Sequence, residues 1–161
     1  MDPVLASHAT LFAVNSFLVN KALGELTEEQ IWTRPSERSN SVGWILGHLT
    51  WARLGILRML GGENVPVPGG KIFERGAELG DRSAYPATAD IVAALKTINE
   101  KLKVRMAEVD EATLAAQAPR DLPTPDKSVR GAVAFLCFHE SYHVGQIAYV
   151  VKWLGKDGLV G

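Results

Sequence analysis

An all-α fold, a bundle of four long helices, is the class this sequence predicts. Three observations carry it. Apolar residues recur at helical spacing in four long stretches, capping residues and glycines bracket those stretches, and apolar-polar alternation is nowhere sustained as a half-buried strand requires. With 161 residues, 47% hydrophobic and 22% charged, the chain is expected to form a single domain over 1–161 that buries its own core.

The elements follow in order. Residues 3 to 24 place Leu5, Phe12, Leu18, Val19 and Ala22 on one side of a first helix, with Gly24 as its expected end. Thr27-Glu28-Glu29-Gln30 has the capping-box form, so a short helical turn should run to Trp32 before Pro35. Asn40 or Ser41 can cap a second long helix through Trp44, Ile45, His48, Trp51, Ile56 and Met59, stopped at Gly61-Gly62. The Gly- and Pro-rich segment 62 to 87 is too long for a simple connection; it should cross an end of the fold and border a site. Thr88 and Asp90 open a third helix with Ile91, Leu95, Ile98, Leu102 and Met106 stepping by three and four, and its other face is charged. After a loop with Pro119, Pro123 and Pro125, Ser128 caps a fourth helix that runs to Leu154 and closes at Gly155.

Composition removes several functions. A formal charge of −1 with no cluster of Lys and Arg supplies no field for nucleic acid or an acidic membrane. Cys137 is the only cysteine, so no disulfide can form within the chain. No stretch approaches 18 apolar residues and the start lacks a basic-then-apolar leader, so a soluble cytoplasmic protein is expected.

The chemistry concentrates in the fourth helix. His139 and His143, four residues apart, lie about 40° from each other on the helical wheel, and both share the apolar stripe with Gln146, Val150, Phe135 and Ala132. In the second helix His48 shares its face with Trp44, Ile45, Ala52 and Gly55. Three of the four histidines should therefore face one interior, where an unpartnered imidazole costs about 1–3 kcal/mol. Either a backbone carbonyl or neighbour satisfies each ring, or one divalent ion satisfies all three.

The run His139-Glu140-Ser141-Tyr142-His143 also reads as H-E-x-x-H, the zinc-protease signature. Such a protease needs a third ligand further along the chain, and after His143 there is no histidine and Asp157 is the only carboxylate. The protease reading is therefore disfavoured. Glu140, about 100° from His139 on the wheel, is either a catalytic group beside the metal or an exposed or dimer-facing carboxylate. Gln146 either hydrogen-bonds a metal-bound water, as a second catalytic candidate, or is a satisfied core amide. His8 and Asn15 fall on the apolar stripe of the first helix and either line the pocket or sit capped at its edge. Gly47 and Gly145 should permit close helix packing. Trp44 and Trp51 read as core, and Cys137, about 160° from His139, as a packing residue rather than nucleophile or ligand.

Ser41-Val42-Gly43-Trp44-Ile45-Leu46-Gly47-His48-Leu49, followed about 90 residues later by His139-Glu140-Ser141-Tyr142-His143-Val144-Gly145-Gln146-Ile147, resembles the DinB/YfiT-like superfamily of metal-dependent enzymes. The likeness covers nearly the whole chain, and H-x-x-x-H-x-G-Q is its more specific half. It implies an up-down-down-up four-helix bundle with Zn²⁺ or Ni²⁺ bound at one end by His48, His139 and His143, and a homodimer. Characterised relatives include S-transferases that use low-molecular-weight thiols such as bacillithiol or mycothiol, and a mycothiol-dependent maleylpyruvate isomerase. The resemblance thus implies a thiol S-transferase, or a hydrolase, acting on a small molecule. Three neutral imidazoles leave the ion its full charge and open positions, where it can activate water or a thiol. The alternative is a non-catalytic stress-response or binding module whose metal is structural or adventitious. Imidazole suits Zn²⁺, Ni²⁺, Cu²⁺ and Fe²⁺ alike, so the pattern does not name the ion.

Overall fold

The caps predicted from the sequence recur in the computed structural model, which describes residues 2–160. Six α-helices follow one another: α1 (Pro3–Glu25), α2 (Glu28–Trp32), α3 (Val42–Met59), α4 (Thr88–Glu108), α5 (Glu111–Ala115) and α6 (Val129–Trp153), with short 3₁₀ turns at Gly70–Phe73 and Arg82–Ala84. The described residues contain no strand, only an isolated antiparallel bridge between Gln117 and Ser128. No helix is long and apolar enough to cross a membrane.

Local chemistry sets the ends. Thr27 and Gln30 complete the expected capping box of α2, and Ser41 rather than Asn40 caps α3 by accepting from the Trp44 N–H. Ser128 caps α6 through the Gly131 N–H. Gly61 and Gly155 follow α3 and α6 with φ of 75° and 77°, a left-handed conformation that removes the chain from the helical path. The third long helix starts at Thr88 as expected, with the Thr88 hydroxyl donating to Glu28 Oε1. Two details differ from expectation. Gly24 stays inside α1, which ends one residue later where Leu26 turns extended. The five-residue α5, capped by the Asp110 carboxylate, lies where the sequence predicts no element, because one turn is too short to display a period.

α3 packs against α4 and α6, and α1 packs against α6 and α4. Two apolar clusters fill the space between. One joins the second half of α1, the first halves of α3 and α4 and the second half of α6; the other joins the complementary halves. Phe73, from the 62–87 connection, is fully buried in the first cluster, so that segment inserts into the fold as well as crossing it.

Between the two clusters in all four long helices sits a polar layer. Arg53 of α3, 4% exposed, forks onto Glu140 of α6 with Nη2–Oε1 at 2.5 Å and Nε–Oε2 at 2.6 Å. Its remaining donors reach α1 at Ser16 Oγ (2.9 Å) and the Phe12 carbonyl (2.9 Å), and α4 at Asn99 Oδ1. The guanidinium also lies 5.2 Å from the Phe12 ring centroid. One side chain thus ties together every long helix, with the planar fork suited to a bidentate carboxylate. Charges taken out of water demand such complete pairing, and removing one partner from a buried pair costs about 3–5 kcal/mol. Glu140→Ala should therefore lower the free energy of urea unfolding by about that amount, whereas the paired exchange Arg53→Met with Glu140→Leu should recover most of the loss. Equal destabilisation by the single and double variants would show that the layer is not a charge pair in energetic terms.

Candidate metal centre

The first half of α3 carries His48 inward, with its ring stacked on Trp44 at 5.0 Å and 11°. Its Nδ1 donates to the Phe73 carbonyl at 2.6 Å. Phe73 can approach because position 47 is glycine: a Cβ there would lie 2.4 Å from the Phe73 ring. Gly47 thus admits a loop aromatic rather than another helix. Gly145 admits nothing; it is exposed and a Cβ would meet no atom within 4 Å, so the expected helix contact there is absent.

From α6, His139 and His143 meet His48. His139 Nε2 lies 3.3 Å from His48 Nε2 and 3.1 Å from His143 Nε2. His143 Nδ1 donates to Gln146 Oε1 at 2.7 Å, and the Gln146 amide N–H donates to the Tyr142 hydroxyl at 3.2 Å. His48 and His143 are buried and His139 is half-buried. Among the described residues these three form the one group of His, Cys, Asp or Glu whose donor atoms converge, all within 4.8 Å of one another.

Proton accounting tests whether this cluster fits an ion. The Phe73 carbonyl can only accept, so His48 keeps its proton on Nδ1; Gln146 does the same for His143. Both Nε2 atoms then point lone pairs at His139 Nε2. A single His139 proton can serve only one of them, and His139 Nδ1 is itself buried without a partner among the described residues. A shared divalent cation would resolve the conflict. Ligand bonds of about 2.0–2.1 Å separate neighbouring nitrogens by about 3.0–3.4 Å, which is the spacing found from His139 to each of the other two rings. The three histidines could hold a metal ion, with Phe73 and Gln146 orienting two of the rings.

The environment keeps the rings in the neutral, ligating form. Burial lowers His139 to about 4, reinforced by His143, His48 and the guanidinium of Arg75. Burial also lowers His48, against the opposing Phe73 carbonyl, and lowers His143, with His48 adding and Gln146 opposing.

The other expected residues fall elsewhere. Glu140 is 2% exposed, neither a solvent-facing nor a dimer-facing carboxylate, because both oxygens are held by Arg53. Gln146 meets the His143 ring. Asn15 is buried where α1 meets α6 and donates to Ser141 Oγ at 3.1 Å, away from the histidine cluster, and His8 is half-buried outside the cluster too. Cys137 is a core residue, 1% exposed, with its thiol pushed up to about 11 by burial and by Glu140. Two participants had no readable signal: the Phe73 main-chain carbonyl, which any residue type could supply, and Arg53, whose partner is 87 positions away.

A family model described as the DinB superfamily matches residues 18–147, a span that includes all three histidines and the Gln146 that orients one of them. The chain belongs to the DinB superfamily. No curated protein sequence matches it significantly. Within this DinB superfamily chain, the helix positions of His48, His139 and His143 are those of its two sequence motifs.

The depressed histidines give a pH signature. Between about pH 6.5 and 4 the unfolded chain takes up protons at His139 that the folded metal-free chain refuses, so His139 should contribute a fall in stability as pH is lowered through that window, a contribution that levels off below it. Chemical denaturation of the metal-free protein at stepped pH, compared with a His139→Gln variant, measures this: the variant should show a shallower slope, and identical slopes would rule the assignment out.

Proposed function

We propose that this DinB superfamily chain is a metal-dependent enzyme acting on a small molecule, with Zn²⁺ or Ni²⁺ held by His48, His139 and His143. The observation that carries the reading is the convergence of three Nε2 atoms, two with lone pairs fixed by acceptors at Nδ1. Thiol-dependent S-transfer is the preferred reaction and hydrolysis the second. The bound ion would supply Lewis-acid activation of a thiol or water. The protein's own part is orientation and neutrality: Phe73 and Gln146 set the ring planes, burial keeps the imidazoles unprotonated, and Arg75 adds positive charge near His139 that favours an anionic substrate. Glu140 is withheld from proton transfer by its Arg53 pair, which speaks against a role as general base. Structural zinc sites usually close the fourth position with a protein ligand, and among the described residues no fourth His, Cys, Asp or Glu joins this cluster, which favours catalysis over a purely structural ion.

The reading extends to assembly. An up-down-down-up course is supported by the two apolar clusters, which pair the start of α3 with the start of α4 but with the ends of α1 and α6. A homodimer is supported by large exposed side chains on one side of α6, Phe138, Tyr142, Tyr149 and Trp153, within about 60° of each other on the wheel. The adjoining α1 adds exposed Leu11, Val14 and Phe17. A cytoplasmic setting accords with a lone buried thiol and no disulfide.

Metal analysis of protein purified without an affinity tag should find close to one equivalent per chain, and His48→Ala should bind at least about 100-fold more weakly. Less than about half an equivalent in the parent, or full retention by the variant, would remove the three-histidine site. For assembly, light scattering should give twice the 17.4 kDa chain mass. The combined Phe17→Glu and Tyr149→Glu exchange should halve it with helicity unchanged, and a monomeric parent would refute the dimer.

A further inference from the structure

A polar cavity of about 110 Å³ lies at the start of α3, apart from the histidine cluster. Its lining includes Trp32, Arg34, Trp44, Asp81, Arg82 and Tyr85. The aromatic walls are fixed. Trp32 and Tyr85 stack at 5.0 Å and 22°, and the Arg82 guanidinium covers Trp32 at 4.4 Å. Arg82 is already spent on the Tyr85 and Pro86 carbonyls (2.9 and 3.2 Å) and on Glu28 (2.9 Å). Glu28 in turn accepts from the Trp32 indole N–H at 3.1 Å and the Thr88 hydroxyl at 2.9 Å. These contacts pre-organise the walls without consuming the two other charges.

Arg34 makes one hydrogen bond, to the Glu37 carbonyl at 3.5 Å, and has no carboxylate within ion-pair distance among the described residues. Asp81 precedes the 3₁₀ turn without a side-chain cap bond and likewise has no cationic partner. Opposite charges that line one small cavity and leave each other unpaired are complementary to a ligand carrying both. Trp44, 94% buried by its 6% exposure, also lines the cavity, and its indole N–H has no partner among the described residues.

We propose that this cavity binds a small zwitterion of the α-amino-acid class, its carboxylate at Arg34 near the positive end of α3 and its ammonium at Asp81 against the aromatic wall. A simple anion is opposed by Asp81 and a simple cation by Arg34, so discrimination comes from both charges together. The site does not depend on an ion at the histidines, although Trp44 joins the two by stacking on His48.

The test is a titration of the purified, chelator-treated protein with glycine, L-serine, acetate and methylammonium, followed through the indole N–H resonances of Trp32 and Trp44. Trp51 and Trp153, outside the cavity lining, serve as internal controls. Glycine or L-serine should give saturable shifts at Trp32 and Trp44 alone, at least about tenfold tighter than acetate or methylammonium. Arg34→Gln and Asp81→Asn should each weaken that binding at least about tenfold with the thermal midpoint unchanged. Absence of shifts with both amino acids, equal affinity for acetate, or unaltered binding in both variants would overturn the proposal. Repeating the titration with metal-loaded protein separates the two sites, since binding lost only on chelation would belong to the histidine cluster.

Discussion

The four long helices are organised around one buried cation. Arg53 cannot be left in the interior without partners, and its five donors are answered by groups from α1, α4 and α6 at once. This requirement fixes more than stability. Glu140 follows His139 in the chain, and Arg53 lies five residues, about 7.5 Å along the axis, beyond His48. When the guanidinium seizes the carboxylate, α6 is set in rotation and in height against α3, and His139 arrives 3.3 Å from His48. Apolar packing alone tolerates slippage, whereas a bidentate ionic fork does not. The glutamate of the H-E-x-x-H run therefore serves the histidines by holding their helix in register.

The asymmetry of the three imidazoles is a second physical theme. Two rings are held from behind by oxygen acceptors and the third is not. His48 and His143 are thereby locked in ring plane and tautomer, while His139 is positioned by packing, with Phe135 stacked against it at 6.3 Å. It is also the most exposed of the three and the one that feels the positive charge of Arg75. The cluster is thus rigid on its inner side and more adaptable toward solvent.

Much of this was legible in the sequence, because it depends on rules that act over a few residues. Helical period gave four long helices, side-chain oxygens at Thr27, Ser41 and Ser128 gave their starts, and the wheels brought His48, His139 and His143 to one interior. What could not be read depends on distance along the chain. Arg53 carried no nearby acid to mark it as paired, so Glu140 looked free until the fold closed 87 residues between them. The Phe73 carbonyl bears no residue-specific signature, and Gly47 showed that something comes close without showing what. Gly24 and Gly145 are the converse: both look like structural glycines, and neither meets a neighbour within 4 Å.

Phe73 is also a mechanical part. Its ring occupies the notch left by Gly47 while its carbonyl grips His48, so a single residue of the 62–87 segment is riveted to α3 at two points one residue apart. The segment is in effect two shorter loops joined at a fixed pin. Insertions or exchanges on either arm can reshape what surrounds the histidines without disturbing the ring that the pin holds. The support of the His48 ring and the shape of the loop arms are thereby separated at one residue: the ring stays aligned while the arms on either side are free to diverge.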